Sequence, residues 1–187
     1  MQDALYPLAH GKCAFCEGVL GVTTYLEIEH YLAKTLFPEQ VFEWTNLLPA
    51  CRLCNGSKGD QDHQNALLKP DEEDPEPYFW VHPDTGKLEP DPRLDEAARR
   101  RAEETIRICN LQRSDLCSQR ADMLKRVGRW LGQVSGRRRL SGSLKEEWDY
   151  LSNPKTQFKL VVRHTLEMRG QPDLAQIDRQ RFEAPPE

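Results

Sequence analysis

The chain lacks any long hydrophobic run. No segment approaches the about 20 consecutive apolar residues that a bilayer-spanning helix needs. The first twelve residues, MQDALYPLAHGK, contain no apolar signal-peptide core. The 187 residues also contain no Gly/Ser linker and no internal repeat, and 38% of them are hydrophobic and 30% charged. We therefore expect a soluble, cytoplasmic protein without membrane association, built as one domain or as one domain with a helical extension.

The chain also lacks a strong excess of charge of one sign. Its net charge of −4 does not by itself support nucleic-acid binding. The charges are segregated, however, because residues 1–70 carry net −3, residues 71–92 net −7 and residues 93–187 net +6. A surface that faces phosphates is expected to use the last of these segments. Its best candidate is an arginine run in a predicted loop between helices: Arg137, Arg138 and Arg139.

Cysteine is present, but not in the pattern of a secreted disulfide scaffold. Four of the six cysteines form two CxxC motifs: Cys13, Cys16, Cys51 and Cys54. Two such motifs supply four thiolates, which is the ligand set of a structural tetrahedral zinc site. The 34 residues between the motifs exceed the usual interval of a zinc ribbon, which a catalytic hairpin between them would explain. Cys109 and Cys117 fall on apolar stripes of predicted helices and are expected to be small buried side chains.

The N-terminal segment, residues 1–70, is predicted to consist of loops and short strands. The segment TTYLEIEH (23–30) is rich in residues that favour strands, and it predicts a strand that ends at His30. Asn55 is expected to cap a short helix after the second CxxC motif. Trp44, like Trp148 further along the chain, is expected to anchor the hydrophobic core.

The remaining chain divides into a connector and a helical part. Residues 71–92 are acidic and rich in proline, and they predict a hairpin with a strand from Tyr78 to His82 and a turn at Asp84-Thr85-Gly86. Residues 93–187 show apolar residues at helical spacing, which predicts a bundle of about four helices. The final stretch from residue 171 has too little apolar content to predict an element.

Several residues between and after the CxxC motifs have the chemistry of phosphodiester hydrolysis. That reaction needs an activated water and a cation that neutralises charge on the phosphate. The imidazole of His30 can take the proton, and the carboxylate of Glu29 is a hard ligand for Mg²⁺ or Mn²⁺. The amides of Asn46 and Asn55 can hold the imidazole or ligate the metal, and Lys58 can contact a phosphate. Among the other histidines, His63 is the one we would test.

The motifs EIEH and FEWTNLLPACRLCNGSK resemble the HNH endonuclease family in its ββα-metal, McrA-like form. More narrowly, KCAFCE, EIEHYLAK, CRLCNGSK and ETIRICNLQRSDLCSQR resemble the HNH nucleases of Septu-type anti-phage defence and of some retron systems. The resemblance covers about residues 10–126. It implies an α+β fold, with a zinc-stapled ββα-metal nuclease core and a mainly α-helical C-terminal extension. The segment Leu32-Ala33-Lys34 departs from the family, which usually has a proline before this lysine.

The resemblance also implies roles for individual residues. It makes His30 the general base, Glu29 and Asn55 the ligands of a catalytic Mg²⁺ or Mn²⁺, and Asn46 the residue that orients His30 and tightens the loop. The four CxxC cysteines become structural zinc ligands. The partner implied is a PtuA-like ATPase of the ABC/SMC type, and the substrate is DNA. Residues expected to contact nucleic acid are Lys34, Arg52, Lys58 and the arginine run at 137–139.

Two alternatives remain open at this stage. A site with one metal and a histidine base does not distinguish ribose from deoxyribose, so RNA is an alternative substrate. A non-catalytic zinc module that serves as an interaction domain is the second alternative. His30, Glu29 and Asn55 are all present, whereas a degenerate nuclease would tolerate the loss of any of them.

Overall fold

A computed structural model describes residues 2–21, 25–63, 65–136 and 140–183 of the chain. Within these ranges the protein combines two small antiparallel sheets with seven α-helices, which confirms the predicted mixture of α and β structure. Most of the buried hydrophobic residues form one cluster that extends from Cys13 to Ala175 in the last helix. The N-terminal segment and the helices therefore share a core.

The first sheet pairs two short strands, β1 (Leu26–His30) and β2 (Leu47–Cys51), in antiparallel register. His30 lies opposite Leu47, so the loop that joins the strands begins directly after the histidine. The predicted strand does end at His30, although it begins three residues later than expected. Residues 22–24 lie outside the described residues. Every residue of β2 is buried, which places this strand at the centre of the N-terminal segment.

Helix α2 (Arg52–Lys58) follows β2 without a connecting loop. Its N-cap is Cys51, whose extended backbone precedes the helix and whose Sγ accepts a hydrogen bond from the backbone N–H of Cys54 at 3.4 Å. The prediction that Asn55 caps this helix is wrong, because the helix begins at Arg52 and Asn55 lies inside it. Two zinc-ligand candidates thus define the first turn of α2.

The N-terminal residues form a short helix, α1 (Gln2–Leu8), where the sequence predicted only loop and short strands. This helix buries Leu5, which is 2% exposed, and packs against both strands of the first sheet. The side chain of Gln2 donates a hydrogen bond to the backbone oxygen of Leu26 at 3.1 Å. Packing on the sheet thus stabilises a seven-residue helix that is too short to be stable alone.

The predicted hairpin after the acidic connector is confirmed. Strands β3 (Phe79–Val81) and β4 (Leu88–Pro90) pair antiparallel around the predicted turn. Gly86 closes this turn with a φ of +66°, a conformation that glycine adopts without strain. A Cβ atom at this position would lie 2.2 Å from the backbone oxygen of Cys117, so the turn sits directly on a neighbouring helix.

Five helices follow the hairpin within the described residues, against about four predicted. They are α3 (Glu96–Ile108), α4 (Ser114–Val134), α5 (Gly142–Leu151), α6 (Lys159–Met168) and α7 (Pro172–Glu183). The additional helix is α7, for which the sequence shows little amphipathic pattern. It is held by a charge instead: the carboxylate of Asp178 is fully buried and pairs with Lys159 and Arg163 of α6.

The two tryptophans expected in the core have different positions. Trp148 is 8% exposed and stacks on Trp130 of α4, with ring centroids 5.1 Å apart and planes 19° from parallel. The prediction for Trp44 is wrong, since its side chain lies in the loop between β1 and β2 and is 47% exposed. Cys109 and Cys117 are both buried, as predicted.

Replacing Gly86 with alanine tests the contact between the hairpin and α4. We expect Gly86→Ala to lower the free energy of unfolding by about 1 kcal/mol through backbone strain, with a further 1–3 kcal/mol from the clash with Cys117. Gly170→Ala is the matched control, because Gly170 has a φ of +71° but no atom within 4 Å of the added Cβ. Urea denaturation of both variants measures the difference. Equal losses would show that the turn does not rest on α4.

Candidate functional site

The four CxxC cysteines converge into one buried cluster. Their Sγ atoms all lie within 4.8 Å of one another, and it is the one group of three or more His, Cys, Asp or Glu ligand atoms that converges in the described parts of the chain. The cluster is closed to solvent, with exposures of 4% or less for Cys13, Cys16, Cys51 and Cys54. Four thiolates at these distances can hold a structural metal such as zinc, as predicted.

Backbone hydrogen bonds bring the two motifs together. The first motif lies in a tight turn in which the N–H of Cys13 donates to the backbone oxygen of Gly18 at 2.9 Å. The N–H of Ala14 donates to the backbone oxygen of Pro49 in β2, also at 2.9 Å. This bond places the first motif beside the strand that leads into the second. The cysteines are therefore adjacent in space although 34 residues separate the motifs.

Arg113, at the N-terminus of α4, contacts this cluster and was not found from the sequence. Its guanidinium lies 3.5 Å from the Sγ of Cys54 and 4.0 Å from the Sγ of Cys51. Burial lowers the pKa of Arg113, but the neighbouring Cys54 and Cys16 together outweigh burial and the pKa is raised. Four thiolates around Zn²⁺ would carry a net charge of −2, which a guanidinium at this position partly neutralises.

A strip of polar side chains lies between β1 and α2. Because alternate residues of a strand share a face, Glu27 and Glu29 both point towards the helix. Glu29 is 3% exposed, and its Oε1 lies 2.7 Å from the ammonium of Lys58. Asn55, one turn before Lys58, donates a hydrogen bond from Nδ2 to Glu27 at 2.8 Å. Burial raises the pKa of Glu29, and the neighbouring Lys58 opposes this shift.

Two residues of this strip correct the sequence-based expectations. Lys58, which was expected to contact a phosphate, is 2% exposed, and its Nζ also donates to the backbone oxygen of His30 at 2.9 Å. An ammonium enclosed in this way is not presented to a nucleic acid. Glu27 was missed, although the alternation of side chains along β1 gives it the same face as Glu29.

His30 has different neighbours from Glu29, the residue before it. Its Nε2 lies 3.1 Å from the backbone oxygen of Val41, in the loop between β1 and β2. A carbonyl oxygen only accepts hydrogen bonds, so Nε2–H is the donor of this bond, and in a neutral imidazole Nδ1 is then the acceptor. The strand therefore turns His30 towards the loop and Glu29 towards α2, with His30 at the last position of β1.

Asn46 holds the loop that follows His30. This side chain is 3% exposed, and its Oδ1 accepts a hydrogen bond from the N–H of Leu32 at 2.7 Å. Its Nδ2 donates to the backbone oxygens of Leu32 and Gln40, both at 3.1 Å. The backbone oxygen of Asn46 also accepts from the N–H of Tyr31 at 2.9 Å. Asn46 thus fixes the loop through Leu32 and Gln40, and its backbone is bonded to Tyr31, the residue that follows His30.

The other residues expected to meet nucleic acid are at the surface or undescribed. Lys34 and Arg52 are exposed. Arg137, Arg138 and Arg139 lie outside the described residues. His63 is half-buried, and its Nε2 lies 3.1 Å from the backbone oxygen of Lys58, so it supports the end of α2.

Comparison with known proteins finds similarity to Septu proteins PtuB, in agreement with the resemblance seen in the sequence. One, from Bacillus thuringiensis, is 45% identical over 60 residues, which cover 32% of this chain and 23% of the relative. Another, from Bacillus mycoides, is 27% identical over 158 residues, which cover 68% of this chain and 52% of the relative. The chain thus spans about a quarter of the length of the first relative and about half of the length of the second. No protein-family model matches it.

Across residues 2–21, 25–63, 65–136 and 140–183, no helix is both long and apolar enough to cross a bilayer.

Zinc content tests the four-cysteine cluster. We expect the purified protein to contain about one zinc ion per chain, and Cys51→Ser to lose both the zinc and the cooperative thermal transition, because structural zinc sites contribute folding free energy directly. Cys117→Ser is the matched control, since Cys117 is a buried cysteine outside the cluster. Elemental analysis and circular dichroism melts give both readouts. A Cys51→Ser protein that stays folded without zinc would contradict a structural role of the metal.

Proposed function

We propose that this chain is a metal-dependent endonuclease of the HNH type, which hydrolyses phosphodiester bonds in DNA. The observation that carries the proposal is the position of His30: it ends β1, its Nε2 is within hydrogen-bond distance of a backbone oxygen, and it adjoins a strip of oxygen ligands between β1 and α2, of which Glu29 is buried. The two strands and the helix that follow one another here have the order of a ββα-metal core.

The hydrogen bond from His30 to Val41 supports its role as general base. With the proton held on Nε2, Nδ1 is the atom that accepts a proton from an attacking water. The imidazolium that forms keeps its Nε2–H directed at the backbone oxygen of Val41, which stabilises the added charge. Asn46 contributes by holding the loop, so that the oxygen of Val41 stays in place.

The polar strip fits a hard divalent cation. Glu29, Asn55 and Glu27 supply two carboxylates and an amide oxygen, the ligand types that Mg²⁺ and Mn²⁺ prefer. In the proposed mechanism Glu29 and Asn55 would hold the ion, whose charge neutralises the phosphate and the leaving oxygen. Lys58 keeps Glu29 in position, and exposed Lys34 and Arg52 are available to contact the backbone of the substrate.

The biological setting is proposed from the relatives. They are named Septu proteins, and the motifs of this chain resemble the nucleases of that defence system. We therefore propose that the chain acts as the nuclease effector of a Septu-type anti-phage complex, with a PtuA-like ATPase of the ABC/SMC type as its partner. The basic C-terminal segment is proposed to contact the partner or the substrate.

Removing the proposed base tests the mechanism. We expect His30→Ala to reduce cleavage of plasmid DNA at least about 100-fold, since general-base catalysis is typically worth 10²–10⁴-fold. Zinc content and melting temperature should stay close to those of the unmodified protein, because His30 is outside the four-cysteine cluster. His82→Ala, in the hairpin turn, is the control and should retain activity. Full activity of His30→Ala would remove the histidine from the reaction.

Metal dependence and substrate can be measured in one assay. We expect a brief excess of EDTA to stop cleavage while the buried zinc stays bound, and Mn²⁺ or Mg²⁺ to restore it. Cleavage of duplex DNA, single-stranded DNA and RNA should be compared, with and without the co-expressed ATPase, because the proposed site does not distinguish ribose from deoxyribose. Cleavage of RNA alone would change the substrate and keep the enzyme. Cleavage that persists in EDTA would exclude the metal-dependent mechanism.

A further inference from the structure

We propose that Lys58 is the built-in counter-ion of the candidate metal site. On this view it holds Glu29 in position when no divalent cation is bound, and it competes with the cation for the same carboxylate. The inference rests on the proposed function, because it takes Glu29 as a metal ligand. It makes Lys58 a positioning residue that sets the affinity of the site for metal.

The first observation is the geometry of Lys58. Its side chain has no solvent exposure, and that of Glu29 has 3%. The ammonium lies 2.7 Å from Oε1 of Glu29 and 2.9 Å from the backbone oxygen of His30. One buried cation thus contacts two consecutive residues at the end of β1, which are the proposed metal ligand and the proposed base.

The second observation is that this contact is one of a pair. Asn55 and Lys58 are three residues apart on α2 and therefore share a side of the helix. Glu27 and Glu29 share a face of β1. Glu27 accepts a hydrogen bond from Asn55, and Glu29 forms an ion pair with Lys58. The helix is thus fastened to the strand at both carboxylates. A cation held by Glu29 and Asn55 would therefore share one ligand with each of these two contacts.

The charges in the strip predict how metal and lysine interact. A buried carboxylate without a partner is strongly unfavourable, so Lys58 stabilises the metal-free protein. A divalent cation at the same carboxylate would be repelled by the ammonium in a region of low dielectric constant. Lys58 is therefore expected to weaken metal binding while it stabilises the protein without metal. A nonpolar substitution should reverse both effects.

Four proteins separate these effects: the unmodified chain, Lys58→Met, Glu29→Gln and the double variant. Mn²⁺ is the probe, because it prefers oxygen ligands and competes poorly with zinc for thiolates. Calorimetric titration gives the affinity directly, and thermal melts with and without Mn²⁺ give the stabilisation. Both measurements use the zinc-loaded full chain and need no nuclease activity.

We expect Lys58→Met to melt about 10 °C lower than the unmodified protein without Mn²⁺, as is typical when one partner of a buried ion pair is removed from a chain of this size. Its dissociation constant for Mn²⁺ should fall at least about tenfold. The double variant should regain most of the lost melting temperature, because the buried charge is gone. Glu29→Gln and the double variant should show little response to Mn²⁺.

Lys159→Met is the matched control for the destabilisation. Lys159 also pairs with a buried carboxylate, that of Asp178, but both lie in the contact of α6 with α7. This variant should lose stability without binding Mn²⁺ more tightly. If Lys58→Met instead binds Mn²⁺ equally well or more weakly, Lys58 is not a competing counter-ion and the inference is wrong.

The same titration distinguishes a failure of the proposed function. If neither the unmodified protein nor Lys58→Met binds Mn²⁺, there is no metal site between β1 and α2. That result would contradict both the proposed metal-dependent function and the inference about Lys58. If the unmodified protein binds Mn²⁺ and Lys58→Met binds no tighter, only the inference falls.

Discussion

The meeting of the two CxxC motifs is the constraint on which the rest of the N-terminal structure depends. A two-stranded sheet of five-residue strands is marginally stable in water, and a seven-residue helix is not stable alone. The four buried thiols join the turn at Cys13 and Cys16 to the point where β2 becomes α2. Metal held there would fix the angle between the sheet and the helix. That angle sets the distance between Glu29 on β1 and Asn55 on α2.

The C-terminal helical part also contacts the residues around the CxxC motifs. The carboxylate of Glu17, one residue after the first motif, accepts a hydrogen bond from the N–H of Leu160 at the start of α6. Lys12, one residue before that motif, donates to the backbone oxygen of Thr156 at 3.4 Å, and burial lowers the pKa of its ammonium to about 8. Arg113, the N-cap of α4, contacts Cys54 directly. Residues of the C-terminal part therefore contact both the cysteine cluster and the residues that flank its first motif.

Much of the candidate site was predictable, because its determinants are local. The CxxC spacing predicted which four cysteines converge, and the strand that ends at His30 followed from the side chains of TTYLEIEH. The turn at Gly86 was likewise predicted from its residue types. Other features escaped prediction. Helix α7 was not predicted because its sequence shows little amphipathic pattern, although the buried Asp178 pairs it with α6. Trp44 was predicted in the core from its residue type, whereas its side chain is exposed in the loop between β1 and β2.

The sequence by itself determined which chemical groups are present and how they alternate along β1, since side-chain direction in a strand repeats every second residue. It also determined the pairing of the cysteines into motifs. Only the tertiary structure decided which charged side chains are buried and which are exposed. The sequence around Lys58 does not indicate whether its side chain faces solvent or a carboxylate. The packing of α2 on β1 encloses Lys58 with Glu29. Burial depends on neighbours that are distant in the chain, and local sequence does not encode them.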